Sequence, residues 1–442
     1  MLHTLPLVHA SMGGILVIGG LTGLALGEKL SANLSGPLTH SLAQLTWLIT
    51  QISLLLAQTQ NKAPDNLGGG TLLTTEVLHI LVFFSASLLA FFIFYESVLI
   101  PLTLLIAQGG SGGGRLRAGI LFFTYTLGGS APILIATLFL VSDQGDIISL
   151  GIEAIVSLSL LVGEITGLWL AFGGSFAVKT PLYPFLVWLI HAHAEAPLEG
   201  SIILAGIVLK LAIFGVSAIL LTLLWSGSLG PMTFTLTLGL CSLLLASLAI
   251  LQQLDLKGFV ALSSVAHIGM GTLGILSLRE DGIAGAWLLA LAHGLVSPCL
   301  FLIAGGFIYK SFATRLIYPF RGGGVLAPFI GLTFLLATLA NMATPLSPNW
   351  VAEVLVLVAL AYENKAICLL SSSSITLGAV YSIWLYNRLV QGNVSPLLRT
   401  ALDISLVETF TLTYILFLVG LCGVFPYGTL ELYTALSWAI FI

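Results

Sequence analysis

Six side chains able to exchange protons sit in this sequence where almost every neighbour is apolar. Glu96 lies in Phe-Tyr-Glu-Ser-Val-Leu-Ile-Pro, Lys179 in Val-Lys-Thr-Pro, Lys210 in Ile-Val-Leu-Lys-Leu-Ala and Glu353 in Val-Ala-Glu-Val-Leu. His267 (Ser-Ser-Val-Ala-His-Ile-Gly) and His293 (Leu-Ala-His-Gly-Leu-Val-Ser-Pro) complete the set. Burial disfavours the charged form of any acid or base, which brings lysines and carboxylates into the range where protons come and go. Imidazole is there already. The chemistry such a set can do is proton transfer.

The surroundings raise the stakes. An unpaired Lys or Asp at a helix centre in lipid costs about 2.5–3.5 kcal/mol, so Glu96, Lys179, Lys210 and Glu353 together would cost on the order of 10 kcal/mol. They are expected to face the interior of a helix bundle, paired or hydrated. Two acids and two bases could cancel as static ion pairs, but intramembrane ionisable groups are functional by default. A lone core histidine is usually packing. Two of them in consecutive segments, beside Lys210 and Glu353, read as relay steps. Haem is the competing reading for the histidines, but no span carries a second histidine one face along.

His191, His193 and Glu195 in His-Ala-His-Ala-Glu-Ala-Pro superficially suggest a metal site. Hydrolytic zinc favours a helical His-x-x-x-His with a third ligand, so the segment reads as an interfacial mouth for protons. Asp255 and Lys257 fall near a span end and read as solvated loop charges. The four cysteines, Cys241, Cys299, Cys368 and Cys422, are scattered without a Cys-x-x-Cys. Iron–sulfur and structural zinc sites are unsupported.

The elements that would carry these residues follow from composition. Of 442 residues, 58% are hydrophobic and 7% charged, against about 25% charged in soluble domains. Lipid must be the main solvent, and the chain reads as an all-α polytopic membrane protein. Net charge is −4 with no basic tract, which argues against nucleic acid as a partner. Met-Leu-His-Thr-Leu-Pro has no lysine or arginine before Lys29, so it reads as neither a secretory leader nor a transit peptide.

A window of about 20 apolar residues per crossing gives thirteen spans: 5–27, 41–58, 72–89, 91–107, 118–141, 164–190, 198–222, 230–252, 256–278, 282–309, 326–361, 366–391 and 404–426. Gly68–Gly70, Gly109–Gly114 and Gly322–Gly324 read as flexible loops. Loops after even-numbered spans hold Lys62, Arg115, Arg117, Lys257, Lys310, Arg315, Arg321, Arg388 and Arg399. Those after odd spans hold only Lys29, Arg279 and Lys365. That asymmetry places the N-terminus on the matrix or cytoplasmic side.

The sixth and eleventh spans carry twin interruptions, Thr180-Pro-Leu-Tyr-Pro184 and Thr344-Pro-Leu-Ser-Pro348. Proline removes a backbone donor and clashes with the carbonyl four residues back. In a membrane, freed carbonyls survive only where they line protein or a hydrated cavity. Matching interruptions therefore point to internal repeats around a conduction path rather than to coincidental kinks.

With those residues in place, the chain resembles the antiporter-like membrane subunits of respiratory complex I, the proton-pumping NADH:ubiquinone oxidoreductase. The strongest stretch is VKTPLYPFLVWLIHAHAEAPLEGSIILAGIVLKLAIFG, residues 178–215. Phe-Phe-Ile-Phe-Tyr-Glu-Ser-Val-Leu-Ile-Pro, Leu-Asp-Leu-Lys-Gly-Phe-Val-Ala-Leu-Ser-Ser-Val-Ala-His and Ala-His-Gly-Leu match in order, over roughly Gly36 to Arg388. The resemblance implies two inverted five-helix repeats, each with one broken helix. They would occupy residues 71–225 and 226–392, flanked by N-terminal helices (1–70) and a C-terminal helix (393–442). It implies that Glu96 pairs with Lys179, that Lys210 is the central lysine, that His267 and His293 relay, and that Glu353 is the exit-side acid. An acid at 353 favours the subunit 4 branch, since sister subunits carry lysine there.

The same resemblance implies no cofactor on this chain, with ubiquinone, FMN and iron–sulfur clusters in partner subunits. Partners would be lipids and the neighbouring antiporter-like subunits 2 and 5, in the mitochondrial inner membrane or a bacterial plasma membrane. Three departures stand out. Leu186 occupies a position where many family members have a relay histidine, so water or a shifted side chain would replace it. Ala352 precedes Glu353 where glycine is usual, and the N-terminus looks one helix short. Two rival functions remain: a subunit of a multisubunit cation/proton antiporter, and a purely structural membrane subunit with frozen ion pairs.

Overall fold

The computed structural model describes residues 37–59, 66–85, 87–110, 113–144, 162–221, 229–312, 314–318, 321–394 and 403–426. The first span, the expectation of a missing N-terminal helix and the loop cations Lys29, Lys62 and Arg399 lie outside these residues.

An apolar backbone without water must bond to itself, and nearly all of the described chain is helical. The principal helices are α1 (Pro37–Thr59), α2 (Asn66–Phe83), α3 (Leu88–Gly109), α4 (Arg115–Gln144), α5 (Val162–Lys179), α6 (Val187–Glu195) and α7 (Leu198–Leu220). They continue with α8 (Leu229–Ile250), α9 (Leu256–Leu276), α10 (Glu280–Phe312), α11 (Pro328–Asn341), α12 (Pro348–Glu363), α13 (Lys365–Val390) and α14 (Leu406–Val424). Eight are long and apolar enough to cross a membrane, and shorter apolar helices accompany them. Each span from the second onward overlaps one helix or one broken pair, although the 72–89 span runs past the end of α2 into the start of α3. Two local expectations fail: Gly68–Gly70 are not a loop but the first turns of α2, and Gly323 and Gly324 begin a helical turn, Gly323–Leu326. Each glycine costs a helix about 1 kcal/mol, and the apolar run behind them outweighs it.

Burial sorts the helices into layers. α7, α9 and α10 are almost entirely enclosed, whereas α3, α4, α8, α13 and α14 keep an outward face. That face carries Ile100, Ile120, Ile135, Leu248, Leu369 and Phe417, as a lipid-facing surface requires. At the rim, Asp403 accepts from Phe329 and Ile330 backbone N–H groups, and Lys310 pairs with Glu408 at 2.7 Å. These bonds fasten α14 to α10 and α11.

Both proline twins break their helices, and the loose backbone is capped by side chains. At the first break, Trp188 Nε1 donates to the Val178 carbonyl at 2.9 Å, and Ser242 Oγ accepts from Tyr183 N–H at 2.6 Å. At the second, Asn349 Nδ2 donates to the Ala340 carbonyl at 3.1 Å. Ser347 then N-caps α12 with Pro348 in its first turn, the residue types preferred at those positions.

α7 and α10 approach closely at two glycines. A Cβ on Gly294 would lie 3.3 Å from the Gly206 carbonyl, 3.4 Å from Lys210 Cε and within 2.5 Å of Leu45. The bare backbone there lets α10 seat against α7. Replacing Gly294 with valine should destabilise the protein by about 1–3 kcal/mol through overpacking. A lowered thermal midpoint of the purified assembly would register it, and an unchanged midpoint would contradict so tight a contact.

Candidate functional site: a buried chain of titratable side chains

The six residues singled out in the sequence are all inside the helix bundle, and they pair. Lys179, the last residue of α5, places Nζ 3.1 Å from Glu96 Oε1 on α3. The same ammonium donates to the Tyr95 carbonyl at 3.1 Å and sits 3.2 Å from the centre of the Tyr95 ring. The first break ends α5 at this point, so Lys179 is held at a helix terminus, where a cation meets the negative end of the helix dipole.

Lys210 lies midway along α7, between two wide π-helical stretches, Leu204–Val208 and Val216–Leu220. Such bulges leave backbone carbonyls outside the regular ladder. Lys210 Nζ uses one of them, bonding to the Ala205 carbonyl at 2.5 Å, and lies 2.8 Å from His293 Nδ1 on α10. On α9, His267 Nδ1 is 3.1 Å from Glu353 Oε1 on α12. The expectation that Glu353 follows the second break holds: it stands in the second turn of α12.

Two closed pairs result, Lys210–His293 and His267–Glu353. The two imidazole rings are 5.6 Å apart, and their Nε2 atoms are buried without a partner among the described residues. Lys210, His267 and His293 line one narrow cavity of about 10 Å³, room for about one water, together with Ile213, Ala286 and Leu289. Unpaired buried ring nitrogens beside a polar-ended void are what a bridging water satisfies. The arrangement can therefore carry a proton from ammonium to imidazole, across one water, to imidazole and carboxylate.

Several titratable groups escaped the sequence reading. Lys257 is not a solvated loop charge: it is buried on the first turn of α9 and donates to the Ala196 carbonyl at 2.8 Å and to Ser201 Oγ at 3.4 Å. Gly305 makes room for it, since a Cβ there would lie 2.5 Å from Lys257 Cε. Without Lys257, eight loop cations by sequence still follow even-numbered spans against three after odd ones.

His193 is not interfacial either. It is fully buried, stacks on Phe301 at 4.4 Å, and both ring nitrogens lack partners among the described residues. It interacts electrostatically with Lys257, Lys210 and His293. His191, two residues earlier, is exposed, so the His-x-His pair faces opposite ways and does not chelate. Among the described residues no cluster of three His, Cys, Asp or Glu side chains is placed to hold a metal.

Glu76 and His79 on α2 are also buried, and His79 Nδ1 bonds the Thr75 carbonyl. Their signal was present: one acid and one imidazole, three residues apart, inside an apolar run. Leu186 packs against the core at the end of the first break. His193 follows it by seven residues, two turns along one helix face.

Comparison with known proteins places the chain in a family. The family model described as NADH:quinone oxidoreductase/Mrp antiporter, transmembrane, matches residues 85–379. NADH-ubiquinone oxidoreductase chain 4 of Mycosarcoma maydis is 42% identical over 358 residues, covering 80% of this chain and 72% of that protein. The Arabidopsis thaliana chain 4 is 39% identical over 357 residues, covering 80% and 71%. A chain in the solved respiratory complex I from Thermus thermophilus with bound NADH superposes with a TM-score of 0.83 at 26% identity, over 97% of this chain and 94% of that one. The Mrp complex of Dietzia sp. DQ12-45-1b contains a chain with the same TM-score, 0.83, at 16% identity, over 99% and 92%, a likeness of fold alone. A buried lysine–histidine–glutamate series between two broken helices and a match over most of its length have one consequence: the chain belongs to the NADH:quinone oxidoreductase/Mrp antiporter transmembrane family.

Proposed function

We propose that this chain is a proton-translocating subunit of the membrane arm of a complex I, of the chain 4 kind. The observation that carries the reading is the file Lys210–His293–His267–Glu353, closed into two pairs around a shared cavity. The likeness to chain 4 proteins at about 40% identity selects complex I within the family. In this reading the chain crosses a mitochondrial inner membrane thirteen times. Residues 71–225 and 226–392 form inverted repeats around the breaks at 180–186 and 342–347. It performs no redox chemistry itself; flavin, iron–sulfur and quinone chemistry belong to partner subunits, and subunits 2 and 5 flank it.

Mechanistically, Glu96 and Lys179 form the switch. A change in charge on the neighbouring subunit opens or closes their ion pair. Unit charges 4 Å apart interact by about 4 kcal/mol at an effective dielectric of 20, more than the roughly 2.3 kcal/mol needed to move one charge against 100 mV. Lys210 then loads or releases its proton through His293, the bridging water and His267, and Glu353 hands it on. His193 takes the place left by Leu186: it stands on the same helical segment, interacts with Lys210 and Lys257, and has both nitrogens free among the described residues.

Replacing Lys210 with methionine should leave the assembly intact and abolish its share of proton pumping; an unaltered proton-to-electron ratio in reconstituted vesicles would refute the central role. Breaking the switch separates motion from mere support. Glu96→Gln alone leaves Lys179 buried without a counter-charge, at a cost of about 3–5 kcal/mol. The double variant Glu96→Gln/Lys179→Met should recover most of that stability while pumping stays low. Normal pumping in the double variant would favour a static scaffold. Finally, His193→Leu should reduce pumping and adding Leu186→His should restore part of it; equal rates in both would remove His193 from the path. Copurified flavin and iron–sulfur centres would separate this assignment from a cation/proton antiporter.

A further inference from the structure

His267 lines two cavities, and they differ in character. The first, shared with Lys210 and His293, is basic. The second, about 20 Å³, lies on the other side and is lined by Glu353, Asn341, Ser374, Tyr381 and Met342. Its titratable groups are Glu353, His267 and the Tyr381 phenol; no lysine or arginine is among its lining residues. Asn341 ends α11 at the second break, is buried, and its Oδ1 has no partner among the described residues. Its neighbour Ala340 is different, since the carbonyl there is already taken by Asn349. Ser374 donates its hydroxyl proton to the Ser371 carbonyl, which leaves its oxygen free to accept.

A buried amide oxygen without a donor costs free energy unless water reaches it. Protonated water has donors only, so a chamber that receives a proton needs acceptors and must lack cations. Carboxylate, amide, hydroxyl and phenol oxygens supply acceptors here, and the basic groups stand on the far side of His267.

We propose that Asn341 is a positioning residue for proton release: its amide oxygen holds the water that takes the proton from Glu353, in a chamber completed by Ser374 and Tyr381. The proposal rests on the relay reading above and extends it one step past Glu353. The transfer is balanced: the Glu353 carboxyl O–H breaks, a water oxygen gains the proton, and the carboxylate is left ready to accept the next proton from His267 Nδ1. The break at 342–347 thus has a use beyond ending a helix, because it brings the end of α11 and the second turn of α12 to one cavity.

The test uses the complete complex in vesicles, with Glu353→Gln, Asn341→Leu, Asn341→Ser and Tyr381→Phe. Proton-to-electron ratio and the infrared carboxyl band lost in Glu353→Gln are read in each. Asn341→Leu should lose pumping while uncoupled NADH oxidation persists, and should shift the Glu353 band, because the water bonded to that carboxyl is gone. Asn341→Ser, which keeps an acceptor, should restore both. A leucine variant with normal pumping and an unmoved band overturns the proposal. So does a serine variant that assembles and pumps no better than leucine. Should leucine prevent assembly, the smaller Asn341→Ala, which also lacks the acceptor, takes its place, and normal pumping with an unmoved band in that variant overturns the proposal equally. If Glu353→Gln itself pumps normally, the relay reading fails instead, which keeps the two failures apart.

Discussion

In a bilayer, a charge that cannot reach water has to be answered by a neighbour, and most of this structure follows from that requirement. Lys179 is answered by Glu96 and the Tyr95 ring, Lys210 by His293 and a carbonyl, Lys257 by a carbonyl and a hydroxyl, and Glu353 by His267. Each answer comes from a different helix or from irregular backbone. The charges therefore dictate which helices must touch. α3 meets α5, α7 meets α10, and α9 meets α12, through contacts that apolar packing alone would not single out.

The irregular backbone is the other half of the same requirement. A regular transmembrane helix consumes all of its own carbonyls and has nothing to offer an ammonium group. The π-helical stretch at Leu204–Val208 frees the Ala205 carbonyl for Lys210. The junction between α6 and α7 frees the Ala196 carbonyl for Lys257. Around the breaks, Trp188, Ser242 and Asn349 each satisfy one loose backbone group, so the interruptions persist without exposing backbone to lipid. Glycine contributes at the points of closest approach, where Gly294 and Gly305 give their space to Leu45 and to the two lysine stems.

Much of this was legible in the sequence, for a physical reason. Twenty apolar residues per crossing and two prolines three apart are local signals, and lipid leaves few alternatives to helix. Glu96, Lys179, Lys210, His267, His293 and Glu353 stood out because each interrupts an apolar run near its middle. Lys257 and His193 did not, because they fall near helix ends, where sequence cannot tell a solvated charge from one folded back into the bundle. Only the three-dimensional return of α9 against the α6–α7 junction decides it. Glu76 and His79 were missed differently: Thr71, Thr74 and Thr75 dilute the apolar run, and the pair reads as a helix edge. Partnerships across more than eighty residues, such as Lys210 with His293, have no local signature at all.

The structure also constrains how the two lysine sites can communicate. Phe176, one turn before Lys179, lies at 6.1 Å from Tyr95 and 6.5 Å from Phe91 by ring centroids. It presses so closely on Gly215 that a Cβ there would lie 2.3 Å from its ring. Phe214 closes the group, 6.4 Å from Phe91. The packing that joins the end of α5 to the Lys210 segment of α7 is thus aromatic, and phenyl rings carry no exchangeable proton. What they transmit well is field and displacement: charge interactions strengthen where the surroundings are weakly polarisable, and a ring wedged against a glycine moves with it. On the proposed function, the Glu96–Lys179 pair would bias Lys210 without sharing a proton with it. That is the property a coupling element needs if the pumped proton is to stay on its own path.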